Sequence, residues 1–320
     1  MSPLVEHVKD EVGLSGTQAQ SLISGLTAGL VTRFVISPLD VVKIRLQLQS
    51  VDLKPKSGQT AYRGTFSTIR NILVNEGITA FWKGNIPAEV MYATYTGVQF
   101  ISYRNTAYIL QRTVGRENLP HMAESFIAGG VGGASATIAT YPLDLLRTRF
   151  AMQGTQRVYL SLVRACRDIH RDEGMRGFFR GLGPTLLQSA PQMGIFFASY
   201  ETIRQGLSIL NLPWGSDDAT AGSLAGAMSK ISVFPLDLVR KRMQVQGPTR
   251  EQYVYSNIPE YRNAAAAFRC IIAKEGIKGL YRGLAISLIK STPGSTITVW
   301  VYGRMMGFLQ NMDHCAERLL

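Results

Sequence analysis

A nine-residue pattern that returns three times constrains this chain more than any other feature of its sequence. Its copies are SPLDVVKIR at 37–45, YPLDLLRTR at 141–149 and FPLDLVRKR at 234–242. A second pattern follows each copy and ends in a glycine. Its copies are NEGITAFWKG ending at Gly84, DEGMRGFFRG ending at Gly181 and KEGIKGLYRG ending at Gly283. Because both patterns keep their order in all three copies, we interpret the chain as a tandem repeat of about one hundred residues.

Each repeat predicts two long apolar helices joined by a polar connector that holds one short helix. The expected division is an N-terminal tail at 1–16, repeats at 17–112, 117–210 and 214–312, and a C-terminal tail at 313–320. The short helices are expected near 65–75, 160–172 and 262–274, and the most loop-like stretches are 51–59 and 247–259. The last long helix is expected to run from 284 to 311.

Two glycines four residues apart precede each copy of the first pattern. They are Gly25/Gly29, Gly129/Gly133 and Gly222/Gly226. Small residues at this spacing let helices pack closely in lipid, and soluble repeat units usually span only about 20–50 residues. The long segments also contain Gly, Ser, Thr and single charges, so hydropathy alone leaves a soluble helical array as an alternative. The repeat favours membrane helices.

The charge balance limits the partners of the protein without selecting one. The formal net charge is +12, which suits nucleic acid, an anionic membrane surface or small anions. The three cysteines and four histidines show no metal-ligand spacing, and the sequence has no Walker loop or nucleophile elbow. We therefore expect no enzyme, no metal site and no cofactor. A basic nucleic-acid-binding repeat protein and a passive channel remain as alternatives.

Acidic and basic side chains follow a proline at fixed spacing in every repeat. The three sets are Pro38, Asp40 and Lys43; Pro142, Asp144 and Arg147; and Pro235, Asp237 and Arg240. A proline inside a helix removes one backbone hydrogen bond and kinks the helix, and neighbouring groups make this tolerable in lipid. Three kinks around a pseudo-threefold axis would bring each acid to the base of the next helix. Pairing within one helix is the alternative.

The pattern Pro-x-Asp-x-x-Lys/Arg-x-Arg, followed by Glu-Gly and aromatic-Lys/Arg-Gly in three copies, resembles the mitochondrial carrier family. The resemblance covers about 17–312. It implies an all-α membrane protein with six transmembrane helices in a threefold pseudosymmetric barrel and three short matrix helices. It also implies a multi-pass protein of the mitochondrial inner membrane, with termini facing the intermembrane space and alternating access.

The resemblance implies a matrix gate made of ion pairs between helices. The expected pairs are Asp40 with Arg147, Asp144 with Arg240, and Asp237 with Lys43, braced by Gln47 and Gln244. Ala151 holds the glutamine position in the second repeat, so one brace is missing. Solvated pairs contribute roughly 0–1 kcal/mol each, which suits a gate that substrate must open. A weak cytosolic gate is implied at Tyr200, Glu201 and Arg204, because the other two repeats lack the acid.

Isolated cations within the apolar segments predict an anion site, since a charge in a membrane segment is costly and usually functional. Arg33 and Lys230 each lie five residues before a proline, about 10 Å from the gate acids, and Lys290 lies seven residues beyond Gly283. Thr137 holds the equivalent position in the second repeat. A phosphate or diphosphate is the natural partner of such cations, and snorkelling to an interface is their alternative role.

The resemblance implies further substrate contacts on the second long helix of each repeat. They are Met91, Gln188 and Lys290, with Tyr92, Tyr95, Ser189, Gln192 and Trp300 nearby. A polyanion with a planar organic body fits these residues, because aromatic rings can stack on the body while cations hold the phosphates. Packing between helices is the alternative role of the aromatic side chains.

Within the family, FWKGNIPAEVMYATYTGVQFISY at 81–103 and YPLDLLRTRF at 141–150 are similar to fungal members that carry thiamine pyrophosphate. This similarity implies uptake of that compound into the matrix by exchange, with thiamine monophosphate or nucleotides as counter-substrates. Coenzyme A and adenine nucleotides remain as alternative substrates. The expected partners are an anionic phosphorylated substrate and membrane lipids, with cardiolipin at the matrix-side helix termini. We expect a monomer that binds no nucleic acid.

Overall fold

A computed structural model of the protein describes residues 18–49, 64–114, 121–155, 157–208, 216–255 and 258–317. The expected tail at 1–16 and the stretch 51–59 lie outside these residues. Within the described ranges the α-helices are α1 Gln18–Leu48, α2 Thr65–Glu76, α3 Asn85–Val114, α4 His121–Ala151, α5 Leu162–Gly177, α6 Leu182–Ser208, α7 Ser216–Gln244, α8 Ala264–Gly279, α9 Leu284–Ile289 and α10 Ser291–Glu317. Short 3₁₀ helices cover Ile78–Trp82 and Pro248–Gln252.

The described residues belong to two compact units. The terminal unit combines the described residues up to Ile36 with those from Lys290 onward, and the central unit consists of the described residues from Ser37 to Ile289. In the terminal unit the hydroxyl oxygens of Thr32 and Thr298 are 2.9 Å apart. A side chain built on Gly294 would come within 2.9 Å of Ile36 Cδ1, so α10 approaches the first half of α1 closely there.

The helices α1, α4 and α7 each continue through the proline of their repeat, which lies inside the helix. The residues that follow these prolines form the centre of the apolar core. Equivalent pairs from the three repeats are exposed by 2% or less: Val41 and Val42, Leu145 and Leu146, and Leu238 and Val239. The sequence repeat is therefore also a repeat of buried positions, and the gate residues are interleaved with it.

The short helices begin and end through local signals in the sequence. The side chains of Ser161 and Asn263 accept hydrogen bonds from the backbone nitrogens of Arg164 and Ala266, which caps α5 and α8. Helical geometry stops at the Glu-Gly of each second pattern, where Gly174 takes a φ of 65° that side-chain-bearing residues rarely adopt. The polar connectors therefore contain short helices near the expected positions.

Among the described glycines of α4, the one with the closest contact to α3 does not belong to the predicted pair. Helix α3 packs along α4, and α6 packs along α7. A Cβ built on Gly129 or Gly222 would meet no described atom within 4 Å, whereas one on Gly132 would lie 3.1 Å from the carbonyl oxygen of Gln99. Gly132 lies outside the four-residue spacing that the sequence analysis used. The face of α4 that packs against α3 therefore determines which of its glycines must remain without a side chain.

The last long helix is interrupted, contrary to the expectation for 284–311. Lys290 separates α9 from α10. Pro293 removes one backbone hydrogen bond at the break, since it has no N–H to donate to the carbonyl of Ile289, four residues before it. A proline alone is not sufficient, because Pro191 lies at the equivalent position of the second repeat inside the uninterrupted α6. Helical backbone hydrogen bonding resumes where the nitrogen of Gly294 donates to the carbonyl oxygen of Lys290 at 3.2 Å. The C-terminal helix then runs to Glu317, into the segment that was expected to be a tail.

Hydropathy identifies one membrane-length segment among the described helices. Ile23–Leu48 has a mean hydropathy of 1.4 and is long and apolar enough to cross a membrane. The other described helices do not pass the same test. This result agrees with the mixed composition of the long segments, and six membrane spans stay a prediction.

Candidate functional site

Three ion pairs join the helices that carry the prolines, all within the central unit. The pairs are Lys43 Nζ with Asp237 Oδ2 at 2.7 Å, Arg240 Nη2 with Asp144 Oδ2 at 2.8 Å, and Arg147 Nη2 with Asp40 Oδ2. Each acid contacts the base of the following repeat, and the third repeat closes on the first. These are the same partners that the sequence analysis paired. We call this arrangement the ion-pair ring.

The ring is more buried than solvated pairs would be. Between 7% and 20% of each of the six side chains is exposed. The exposed-pair value of roughly 0–1 kcal/mol therefore does not apply. A hydrogen bond to a charged group contributes about 1.5–3 kcal/mol, and the cost of burying the two charges offsets part of that gain. The ion-pair ring can therefore contribute several kcal/mol to the state in which the three proline-containing helices are held together.

The three links of the ring have different neighbours. Gln47 Nε2 donates to Asp237 at 2.9 Å, and Gln244 Nε2 donates to Asp144. Ala151 takes the third glutamine position and has no donor. Lys43 Nζ lies 5.7 Å from the centre of the aromatic ring of Phe234, and Arg240 Cζ lies 5.8 Å from the centre of that of Tyr141. Cation–π attraction operates at these distances.

The residue before each proline explains why only two of the three links have an aromatic neighbour. Tyr141 stacks on Phe179, and Phe234 stacks on Tyr281. This stacking holds one aromatic face beside Arg240 and the other beside Lys43. The first repeat has Ser37 instead, and its hydroxyl donates to a backbone carbonyl, that of Phe81, at 3.1 Å. The link between Asp40 and Arg147 thus has no aromatic residue at this position.

A second, fully buried set of contacts was not predicted from the sequence. It uses the last arginine of each first pattern and the glutamate of each second pattern. The pairs are Arg45 with Glu76, Arg149 with Glu173 at 2.5 Å, and Arg242 with Glu275 at 2.5 Å. The three arginine side chains are at most 3% exposed. The available signal was that each arginine and each glutamate keeps the same position within its own pattern in all three repeats, although the two are 31, 24 and 33 residues apart.

The same arginines also connect neighbouring repeats. Each donates to two carbonyls at the C-terminal end of the next proline-containing helix. Arg45 reaches Ala151 and Gln153, Arg149 reaches Gln244 and Gln246, and Arg242 reaches Gln47 and Gln49, at 2.8–3.3 Å. The last carbonyls of a helix lack partners within the helix and favour a positive charge nearby. These arginines therefore complete three helix ends and link the repeats in a second cycle.

Glycines of the second pattern bring the following helix against the ring. Gly84 has a φ of 86°, and a side chain there would come within 2.6 Å of the backbone oxygen of Arg147. Gly283 takes the same conformation, with the backbone oxygen of Lys43 at 3.4 Å from its built Cβ. Only glycine satisfies both the positive φ and the close approach. The helices α3 and α9 therefore start directly beside two bases of the ion-pair ring, Arg147 and Lys43.

The stretch 247–259, expected to be loop-like, is packed over its described part. After the 3₁₀ helix Pro248–Gln252, the backbone nitrogen of Val254 donates to Met152 at 3.1 Å. The hydroxyl of Tyr255 donates to the carbonyl of Arg45 at 3.2 Å. This segment of the third repeat thus contacts the ends of α4 and α1. The buried side chains of Tyr253, Val254 and Tyr255, rather than its glycine and prolines, decided the outcome.

The pKa of Glu76, which lies on the short helix α2, shows the effect of its buried ion pairs. Burial would raise the pKa of this carboxyl, but hydrogen bonding and attraction by Arg45 and Lys83 outweigh burial and lower the pKa below 4.5. Lys83 Nζ contacts Glu76 at 2.6 Å and the carbonyls of Gln153 and Gly154. The pKa of Lys83 is also lowered, because burial there outweighs the attraction of Glu76.

The predicted substrate residues of the central unit lie on four helices. Met91, Tyr92 and Tyr95 are on α3, Thr137 on α4, Gln188, Ser189 and Gln192 on α6, and Lys230 on α7. Lys230 Nζ donates to the carbonyl of Ser287 at 2.9 Å. The Oε1 atom of Gln188 is buried and accepts no hydrogen bond from the described residues. Thr137 bonds the carbonyl of Gly133 in its own helix, and Ser189 likewise bonds Thr185.

The remaining predicted residues lie elsewhere. Arg33 and Lys290 belong to the terminal unit and are both half-buried. In the expected cytosolic gate, Tyr200 stacks on Phe196 with ring centres 6.2 Å apart. Glu201 is exposed and accepts a hydrogen bond from Gln205 of its own helix, and Arg204 is exposed.

Comparison with known proteins agrees with this geometry. A sequence profile described as mitochondrial carrier protein matches residues 15–113, 119–209 and 214–313. Three successive matches confirm the threefold repeat. Proteins named mitochondrial thiamine pyrophosphate carrier 1 are similar along the whole chain. The one from Sclerotinia sclerotiorum is 54% identical with 99% of both chains covered, the one from Pyricularia oryzae 54% with 94% of both, and the one from Aspergillus terreus 52% with 99% of both. This chain belongs to the mitochondrial carrier family.

Proposed function

We propose that the protein is a mitochondrial transporter that imports thiamine pyrophosphate into the matrix by alternating-access exchange. Identity of about half of all positions along the full length, shared with fungal proteins that carry this name, is the observation that supports the substrate. Thiamine monophosphate or nucleotides are the proposed counter-substrates. A transporter rather than an enzyme also agrees with family membership.

The ion-pair ring supports a gate that alternates between joined and parted states. In the joined state all three links are formed. Moving a two-state equilibrium from 1:99 to 99:1 takes about 5.5 kcal/mol of differential binding. Three partly buried charged links, reduced by the cost of burying the charges, are of this order. Binding of a diphosphate can therefore offset the loss of the ring.

Two described features suit the two ends of thiamine pyrophosphate. The ammonium of Lys230 contacts a neutral carbonyl, so it can exchange this partner for a phosphate oxygen, which binds a cation more strongly. The buried Oε1 of Gln188 can accept a hydrogen bond from the amino group of the pyrimidine ring. Met91, Tyr92 and Tyr95 offer apolar and aromatic surface for the ring system. Arg33 and Lys290 remain sequence-based predictions of further phosphate contacts.

The setting that we propose follows from the family. The protein lies in the mitochondrial inner membrane with six transmembrane helices, and both termini face the intermembrane space. Membrane lipids contact it, with cardiolipin at the matrix-side helix termini, and it acts as a monomer. Side-specific proteolysis of intact mitochondria tests the orientation: access to both termini is expected once the outer membrane alone is opened.

A substrate panel on reconstituted vesicles tests the transport activity. Vesicles loaded with thiamine monophosphate are expected to take up labelled thiamine pyrophosphate, and unlabelled thiamine pyrophosphate outside should compete. Coenzyme A and adenine nucleotides are the comparison substrates. Preference for either of these would refute the proposed substrate. Extraction of the protein by salt without detergent would refute the membrane assignment and favour the nucleic-acid-binding alternative.

A further inference from the structure

We propose that Lys241 is a fourth cation of the ion-pair ring, a positioning residue that makes the link between the second and third repeats stronger than the other two. The inference deepens the proposed gate and rests on it. Lys241 follows Arg240 directly, and the other repeats have Ile44 and Thr148 at this position. The repeat pattern therefore does not predict a cation here.

The contacts of Lys241 place its ammonium group beside the carboxylate of Asp144, one of the three acids of the ion-pair ring. Its Nζ lies 3.2 Å from both carboxylate oxygens of Asp144. It also donates to Thr148 Oγ1 at 2.9 Å and to Gln244 Oε1 at 2.9 Å. Only 9% of its side chain is exposed. An ammonium has three donors, and the acceptors around it are sufficient for all three.

The carboxylate of Asp144 is consequently held from several directions. Arg240 and Lys241 approach it as cations, and the amide of Gln244 donates to it as well. Asp237, its equivalent in the third repeat, receives Lys43 and Gln47. In place of a lysine, the first repeat supplies Ile44, which has no charge to offer. The additional ammonium is thus a specific difference between two otherwise matching links.

Separation of the second and third repeats removes contacts of Lys241 selectively. Asp144 and Thr148 lie on α4, whereas Gln244 lies on α7 with Lys241. When α4 and α7 part, the ammonium keeps its bond to Gln244 and loses Asp144 and Thr148. A buried charge without its counter-charge is costly. Lys241 therefore favours the joined gate over the parted one and sets the balance between the two access states.

Lys241→Met in reconstituted vesicles tests this inference through both faces of the membrane. Apparent KM for thiamine pyrophosphate is measured from the cytosolic and the matrix side. Weakening the joined gate lowers the population open to the cytosol and raises the population open to the matrix, and each apparent affinity follows its population. We expect the ratio of cytosolic to matrix KM to rise about tenfold, which corresponds to about 1.4 kcal/mol.

The control is Lys278→Met, because Lys278 is an exposed residue of α8 and the substitution is the same. Its KM ratio should equal that of the wild type. A general loss of folding or of active protein would reduce the maximal rate without a change in the ratio. If Lys241→Met leaves the ratio unchanged, or changes it in the opposite direction, the inference is overturned.

A substrate-free measurement separates this inference from the proposed substrate. Thermal unfolding in detergent is compared for Lys241→Met, Asp144→Asn and the double variant. Because the two side chains share one contact, the double variant should lose less stability than the sum of the single losses. Strictly additive losses overturn the inference even if thiamine pyrophosphate is transported. Failure of the wild type to transport that compound would instead count against the proposed function alone.

Discussion

Arg149→Met tests whether the buried arginines join the three repeats. Arg149 donates to Gln244 O at 3.1 Å and Gln246 O at 2.8 Å, and it binds Glu173 through two nitrogens at 2.5 and 3.0 Å. None of its side chain is exposed. Methionine fills similar volume but leaves a buried carboxylate and two helix-end carbonyls without these donors.

The expected loss follows from these contacts. Removing one partner of a buried ion pair costs about 3–5 kcal/mol, because the remaining charge stays in a poorly solvated place. Arg180 still contacts Glu173 at 3.0 Å, which limits the loss to the lower part of this range. For a chain of 320 residues, the entropy of unfolding is about 0.7 kcal/mol/K, so each kcal/mol lowers Tm by about 1.5 °C. We therefore expect Tm to fall by about 5 °C.

The assay is thermal unfolding of the purified protein in detergent, with Arg171→Met as the matched control. Arg171 also pairs with a carboxylate, Asp172, but on the surface of α5, where 71% of its side chain is exposed. Exposed pairs contribute little, so the control should unfold at the wild-type temperature. Equal Tm values for Arg149→Met and Arg171→Met would refute the reasoning that burial gives this arginine its effect.

Three further predictions concern transport and pH. Asp40→Asn combined with Arg147→Gln should lose less uptake than the sum of the single losses, if the two residues pair across helices; additive losses would contradict the ring. Lys230→Ala and Lys290→Ala should each greatly reduce uptake by protein that remains folded, and normal uptake by both would disprove the anion site. Because the folded-state pKa of Glu76 is lowered, its pairs stabilise the protein above its unfolded value near 4.5, and this stabilisation is lost as pH falls through the folded value. Glu76→Gln should therefore lower Tm at pH 7 and flatten its decrease in acid, and parallel wild-type and variant curves would contradict this.

Much of the gate was predictable because its geometry is repeated. Asp40, Asp144 and Asp237 occupy one position of three copies, and the bases of the ring lie three residues beyond them. A threefold repeat with an acid and a base in each copy has few ways to satisfy all charges, and pairing with the next copy is one of them. The sequence pattern therefore contained the partners of the ring, although not its burial.

Other features depend on contacts that no single repeat contains. Lys241 breaks the repeat, and its value for the gate depends on the distance of its ammonium from Asp144 on another helix. Arg149 reaches carbonyls about one hundred residues away in the chain, and carbonyl partners leave no trace in side-chain identity. Tyr255 holds a loop-like stretch against the chain only because the carbonyl of Arg45 on α1 lies within hydrogen-bond distance of its hydroxyl.

The sequence by itself determined a helical threefold repeat, its prolines and the charged residues that can close a ring. Tertiary structure alone decided how deeply that ring is buried, which glycine of α4 lies closest to α3, and that Lys241 contacts Asp144. The physical reason is that spacing along the chain determines which residues are equivalent. Burial and hydrogen-bond partners depend instead on which helix faces meet, and this is a property of the packed molecule.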